Sequence, residues 1–246
     1  MSSRRFIRPL QVKSQSYRAR QSDSSRVWFF DLDNTIHDAS HAIFDQISIG
    51  MVHAVMQHMQ LDKTAAKALC ELYWKRYGAT MIGMHKHHQM DPEQFLLDSH
   101  SFDVAKYMKF EHHLPALLEA VPGTKYILTN APEHYAIQVL EGLNITQYFA
   151  GICAVNQMLV LGEYRPKPAP SLLRQLQTSL GLEPQQCVLV EDTLSNLKSA
   201  KKEGWQTVYI YHPDTPFGPQ QIVRPAYVDL RVRSLSELLR HPFAQQ

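Results

Sequence analysis

The sequence predicts an α/β fold: a parallel sheet with helices on its faces and an all-helical insertion. Three observations predict it. Short apolar runs of strand length recur along the chain, and helical patterns with glycine near their ends separate most of them. One long stretch after the first run contains nothing strand-like.

Residues 1–25 precede the first core run. They are rich in Ser, Gln and Arg and lack sustained apolar periodicity, so they read as a basic, largely disordered extension. Arg4, Arg5, Arg8, Lys13, Arg18, Arg20 and Arg26 face Asp23 alone. The net charge of +2 therefore hides an acidic body behind a basic tail, and a basic patch for a nucleic acid polymer is not supported. The same Arg- and Ser-rich, acid-poor composition leaves two locations open, the cytoplasm or an organelle reached through this extension.

Val27-Trp28-Phe29-Phe30 is a continuous apolar run that stops at acids, the pattern of a central parallel strand buried on both faces. Further runs fall at Tyr126–Leu128, Gly151–Val155, Cys187–Val190, Thr207–Tyr211 and Tyr227–Val232. Helical patterns fall at Glu133–Leu143, Pro170–Leu180, Leu194–Glu203 and Ser234–Leu239, with Gly142, Gly181 and Gly204 near the ends of the first three. Between the first and second strands, residues 41–59 and 63–78 read as amphipathic helices. A shorter helix starts at Asp91-Pro92-Glu93, with Pro in the first turn and acids at the positive end. The predicted organisation is an α/β core of residues 26–37 and 114–246, interrupted by a helical cap at 38–113.

No apolar run approaches the ~20 residues that span a bilayer, so no membrane partner is expected. Cys70, Cys153 and Cys187 lie in apolar stretches with no CxxC pair, which suits buried thiols rather than a disulfide framework or zinc site.

The chemistry concentrates at strand ends, where open parallel sheets build their sites. Asp31-Leu32-Asp33-Asn34-Thr35 directly follows the first strand. In extended chain, residues two apart share a face with Cα atoms ~7 Å apart, so Asp31 and Asp33 converge while Leu32 turns to the core. Thr129-Asn130 ends the second strand and leads into a helix, offering a hydroxyl, an amide and free N–H groups to an anion. Simple N-capping explains either residue alone as well. Lys167 stands between Pro166 and Pro168, which restrict its backbone. Glu191-Asp192 follows a later strand and supplies oxygens suited to a hard cation. Singly these signals are weak. Together they gather positive charge around a phosphate ester, which carries about two negative charges.

The four fragments, in this order, resemble the haloacid dehalogenase superfamily of hydrolases. Asp31–Thr35 is similar to its DxDxT motif, Thr129 to the second, Lys167 to the third and Glu191-Asp192 to the acidic fourth. The resemblance implies a Rossmann-like core with the helical cap inserted between the first two motifs. It implies Asp31 as the phosphorylated nucleophile, Asp33 as general acid and base, and Thr129, Asn130 and Lys167 as phosphate ligands. Mg²⁺ would be held by Asp31, the Asp33 carbonyl and Asp192, with Glu191 and Asn196 supporting them from behind. Asp33 favours a phosphatase over a dehalogenase, because a halide leaves without a proton.

Substrate choice is expected from the cap. Tyr77-Gly78-Ala79-Thr80, residues 91–96, His100, Phe102-Asp103 and His134 resemble pyrimidine 5′-nucleotidase-like members, with Tyr77 and Thr80 the candidate substrate contacts. The expected partner is a small phosphorylated metabolite, most simply a nucleotide. Phosphoglycolate, a sugar phosphate or a phosphomutase reaction are alternatives within the same chemistry, and a catalytically silent binding protein is the alternative outside it. The group His85-Lys86-His87-His88, with His112-His113, reads as solvated cap loop because its spacing does not suit paired metal ligands.

Overall fold

The computed structural model describes residues 6–10, 26–211 and 224–245. Its strands in chain order are β1 (Arg8–Pro9), β2 (Val27–Phe30), β3 (Thr124–Leu128), β4 (Gly151–Cys153), β5 (Leu159–Val160), β6 (Glu163–Tyr164), β7 (Cys187–Glu191), β8 (Gln206–Ile210) and β9 (Leu230–Val232). Seven of them form one sheet in the order β1-β4-β3-β2-β7-β8-β9, while β5 and β6 make a separate hairpin. All pairs from β4 to β9 in the large sheet are parallel, and β1 alone runs antiparallel.

The central position of β2 follows from its composition. Every residue of Val27–Phe30 is buried, as a strand covered on both faces requires. Phe29 packs with Trp205 (4.8 Å between rings) and Tyr126 (5.6 Å) on one face. Alternation turns Trp28 and Phe30 to the other, where they meet Phe243 and Phe149 edge-on. Leu172, Leu173 and Leu176 of a covering helix complete the first face with Leu189 and Leu197.

The helices are α1 (Ile43–Met59), α2 (Lys63–Tyr77), α3 (Thr80–His88), α4 (Pro92–Ser99), α5 (Leu114–Ala120), α6 (Glu133–Gly142), α7 (Pro170–Leu180), α8 (Leu194–Lys202) and α9 (Leu235–Arg240). Two compact units result. Ala39–Met108 holds α1 to α4, and the sheet with its helices forms the other. Within the helical unit, Asp62 caps α2 through the Ala65 N–H (2.9 Å), and Asp91 caps α4 through the Glu93 N–H (3.2 Å). The unit's ends are narrower than residues 38–113. Asp38 N–H donates to the Lys109 carbonyl (2.6 Å) and His37 bridges Phe110, so both flanks belong to the sheet unit.

Several expectations need correction. Residues 6–10 are not free extension: Arg8 and Pro9 pair with Ile152 and Gly151, and the Arg8 guanidinium bonds Glu133. Proline suits this edge because it has no N–H to donate to a ladder. The rest of the basic extension lies outside the described residues. His85–His88 is the last turn of helix α3, not loop; the five residues before it, Thr80–Met84, are all buried and drive the helix. Helix α5 was not expected. Gly181 ends α7 in the left-handed conformation as a C-cap glycine does (φ 64°), but Gly142 remains helical and Asn144 takes the left-handed position instead (φ 53°). Val155 leaves β4 for a short 3-10 turn, and Tyr227–Asp229 precede β9 rather than extend it. Among the described residues, no helix is long and apolar enough to cross a membrane.

Candidate active site

β2 delivers Asp31 from its carboxyl end, where the Asp31 N–H still bonds the Val190 carbonyl of β7 (2.9 Å). Leu32 is fully buried, as the alternation required. The chain then turns tightly. Asn34 adopts φ 58°, a conformation asparagine tolerates, and the Leu32 carbonyl accepts from the Ile36 N–H at 2.9 Å. This turn brings His37 back onto Asp33.

Lys167 enters before α7 and reaches across the strand ends. Its Nζ donates to Asp31 Oδ1 and Glu191 Oε2, both at 2.7 Å, and the side chain is almost wholly buried. Asn130 fixes its backbone: Asn130 Oδ1 accepts the Lys167 N–H and Asn130 Nδ2 donates to the Lys167 carbonyl, each at 2.9 Å. Thr129 is buried, and its hydroxyl accepts the Ala131 N–H (3.0 Å), leaving its own hydrogen for an incoming oxygen. Glu191 is fully buried and well supplied with donors. Besides Lys167, it accepts from Asn196 Nδ2 (2.9 Å) and the Thr193 N–H (3.1 Å). Thr193 also donates its hydroxyl to Asp192 (3.0 Å).

The charges do not balance. Asp31, Glu191 and Asp192 each offer a carboxylate oxygen within 4.8 Å of the others, and among the described residues the cation bonded to them is the Lys167 ammonium. Burial and the neighbouring Glu191 hold the Asp31 carboxyl well above the usual carboxylate range, despite Lys167. Burial and Glu191 likewise push Asp192 up to about 8. Burial disfavours the charge on Glu191 too, but Lys167 and its hydrogen bonds outweigh it and leave that group below its ordinary value. Burial alone would lower Lys167; Asp31 and Glu191 raise it, so it stays charged. An all-oxygen set with surplus negative charge fits a hard divalent cation.

Asp33 has its own surroundings. Its Oδ1 accepts the Tyr135 hydroxyl at 2.6 Å and lies 3.0 Å from His37 Nε2. Its carboxyl is not among the clustered metal-type oxygens, so only its carbonyl remains available for the role the resemblance implied. Asn130 is engaged with Lys167 rather than held open, and Asn196 acts on Glu191. In the helical unit, Thr80 is buried and donates to the Cys70 carbonyl (3.1 Å), while the Tyr77 hydroxyl meets His87 Nε2 (2.5 Å). His37 and Tyr135 were not foreseen. The i, i+4 spacing of Asp33 and His37 is visible in the sequence, but nothing local marks Tyr135.

A fold with its acids and threonine at the ends of parallel strands, and a lysine reaching across them, defines a class, and a family comparison agrees. The model for haloacid dehalogenase-like hydrolases matches residues 28–210, so the chain belongs to that family. Phosphate metabolism protein 8 of Saccharomyces cerevisiae is 26% identical over 212 residues, covering 80% of this chain and 65% of the yeast protein. This chain thus spans just under two thirds of that relative. The phosphoglycolate phosphatase of Aquifex aeolicus is 24% identical over 192 residues, 74% of this chain and 83% of its own length. Among solved structures, a HAD phosphatase from Thermococcus onnurineus superposes with a TM-score of 0.59 at 19% identity, covering 87% of this chain and 95% of that one.

Proposed function

We propose that the chain is a phosphomonoester hydrolase in which Asp31 is transiently phosphorylated, with a pyrimidine nucleoside 5′-monophosphate as substrate. The observation that carries the chemistry is the buried Lys167 ammonium, 2.7 Å from both Asp31 and Glu191, beside an Asp33 carboxyl held by separate donors. The phosphatase relative from Aquifex aeolicus supports the same class.

In the first step Asp31 Oδ bonds phosphorus as the ester P–O bond breaks, and the departing alkoxide takes a proton from Asp33. In the second, water bonds phosphorus while Asp33 recovers a proton, and the Asp31–phosphorus bond breaks to release phosphate. Lys167 and the Thr129 hydroxyl meet the charge on the equatorial oxygens. Mg²⁺, when bound by Asp31, Asp192 and the Asp33 carbonyl, supplies positive charge that offsets repulsion between the carboxylates and the ester. Glu191 orients Lys167, and Asn196 orients Glu191.

The nucleotide preference rests on the resemblance of residues 77–80 and 91–103. Of the two cap candidates, Tyr77 retains a partly exposed ring suited to stacking on a base, whereas the Thr80 hydroxyl is committed to Cys70. Phosphoglycolate is the second reading, favoured by the Aquifex relative. Three buried thiols, with Cys153 and Cys187 each pushed up to about 12, chiefly by burial, suit a reducing compartment such as the cytoplasm. A Mg²⁺-dependent hydrolysis screen over nucleotides, sugar phosphates and phosphoglycolate tests the assignment, with Asp31→Asn as the inactive control. Full activity in that variant overturns the mechanism. Turnover of phosphoglycolate without UMP or CMP overturns the nucleotide preference alone.

A further inference from the structure

The Asp33 carboxyl is asymmetric in a way its proposed role does not explain. Both of its hydrogen-bond partners lie on one oxygen. Tyr135 donates to Oδ1 at 2.6 Å and His37 Nε2 sits 3.0 Å from the same atom, while Oδ2 has no partner among the described residues. Tyr135 and His37 are themselves buried: the Tyr135 and His37 side chains contribute essentially no exposed surface. Neither is free to turn toward solvent.

The donor roles follow from what surrounds each group. The Tyr135 hydroxyl lies 2.6 Å from a carboxylate oxygen, which can only accept, so Tyr135 donates. For His37, Nδ1 is buried with no partner among the described residues. Placing the ring hydrogen on Nδ1 would aim it at no acceptor and would set the Nε2 lone pair against a carboxylate oxygen. The tautomer with hydrogen on Nε2 avoids both costs. Two donors therefore converge on Oδ1.

We propose that Tyr135 and His37 are positioning residues for proton transfer, clamping Asp33 by Oδ1 so that Oδ2 is the atom that exchanges the proton. The inference rests on the phosphohydrolase reading above. A carboxyl proton on Oδ1 would compete with two donors for that oxygen's lone pairs; on Oδ2 it competes with none. Oδ2–H then breaks as the alkoxide leaves, and Oδ2 takes a water hydrogen as the water oxygen bonds phosphorus. The clamp also stops χ2 rotation from exchanging the two oxygens. The turn at Asn34 is what makes it local on one side, and α6 supplies it on the other.

The test exploits leaving groups. kcat/KM reports the step in which the ester bond breaks, and p-nitrophenolate departs without a proton whereas an alkoxide does not. In Mg²⁺ buffer, Tyr135→Phe is expected to lower kcat/KM for UMP or phosphoglycolate about 10- to 100-fold, the usual cost of removing an outer hydrogen-bond partner. Its loss on p-nitrophenyl phosphate is expected to be at least ~10-fold smaller, a split shared by Asp33→Asn. His37→Gln keeps an N–H at similar reach and should retain more alkyl-ester activity than His37→Leu. Melting temperatures of the metal-free variants separate this from misfolding. Equal losses on both ester types, or no loss on the alkyl esters, overturns the clamp alone. A wild-type protein that turns over neither ester overturns the phosphohydrolase reading and the clamp with it.

Discussion

Asn130 and Lys167 exchange a reciprocal pair of hydrogen bonds, amide oxygen to N–H and amide nitrogen to carbonyl, each 2.9 Å long. The side chain of one strand-end residue thereby replaces a backbone ladder for a loop residue 37 positions away. The lysine's direction is set from behind, at its peptide, while Asp31 and Glu191 hold its tip.

Asn130→Ala removes the part-buried partners of both the Lys167 N–H and the Lys167 carbonyl. We expect kcat to fall about 10- to 100-fold, as for other outer-shell partners, and stability to fall by about 0.5–1.5 kcal/mol from the lost hydrogen bonding. Asn130→Asp is the sharper probe. It preserves shape and the acceptor, but sets a second oxygen against the Lys167 carbonyl and brings another charge to an acidic site. It should rescue nothing relative to alanine. Steady-state kinetics and urea unfolding of the pair check both claims, and near-normal kcat in Asn130→Asp would refute the positioning role.

The surplus of carboxylates makes a second prediction, with a definite sign. Asp192 sits at about 8 in the fold, burial and then Glu191 having raised it, against about 4 in an unfolded chain. The native state therefore holds a proton that the unfolded state has lost, and metal-free stability falls as pH rises through this window. Between pH 6.5 and 8.5 the melting temperature of metal-free protein should drop by about 2–4 °C, the shift that ~1 kcal/mol makes in a domain of this size. Asp31, also raised, adds in the same direction; Glu191, held low, does not titrate there. Asp192→Asn should flatten the profile. Mg²⁺, which binds deprotonated oxygens, should raise the melting temperature more at pH 8.5 than at 6.5. Thermal scans with EDTA or Mg²⁺ read all three, and a metal-free profile that rises across the window contradicts the premise.

How much of this was legible in the sequence divides by locality. Asp31, Lys167, Glu191 and Asp192 could be read because each directly follows a strand end or precedes a helix, and those signals are short-range. The parallel core was legible for the same reason: Val27–Phe30 and Cys187–Val190 are apolar without alternation. Tyr135 was not, since its bond to Asp33 joins residues 102 apart and its helical position resembles any buried aromatic. Helix α3 carries no periodic signal because Thr80–Met84 is buried throughout, which erases the 3.6-residue stripe, and Gly83 and the histidines lower helix propensity. The strand at Arg8–Pro9 has two residues and depends wholly on β4 for its pairing. Nothing in so short a segment announces it.

Gly50 and Gly83 sit where neighbouring helices of the helical unit approach closely, and they give a last prediction. A Cβ on Gly50, in α1, would fall inside the van der Waals envelope of the Ser99 carbonyl at the end of α4. A Cβ on Gly83, in α3, would overlap the ring and Cβ of Tyr73 in α2. In an open helix, glycine to alanine would gain about 0.5–1 kcal/mol. Here overpacking opposes that gain and costs about 1–3 kcal/mol. The two sites should differ in how the strain is relieved. Tyr73 ends in a hydroxyl bonded to His88 Nε2 (2.7 Å) and can move only by breaking that bond, yet a side chain still shifts more readily than backbone. The Ser99 carbonyl has no such freedom. Gly50→Ala should therefore lower the unfolding midpoint more than Gly83→Ala, and the Gly83→Ala loss should shrink in a Tyr73→Leu background because the ring has gone. A Gly50→Ala protein as stable as wild type, measured by urea unfolding, would show that α1 and α4 do not approach each other this closely.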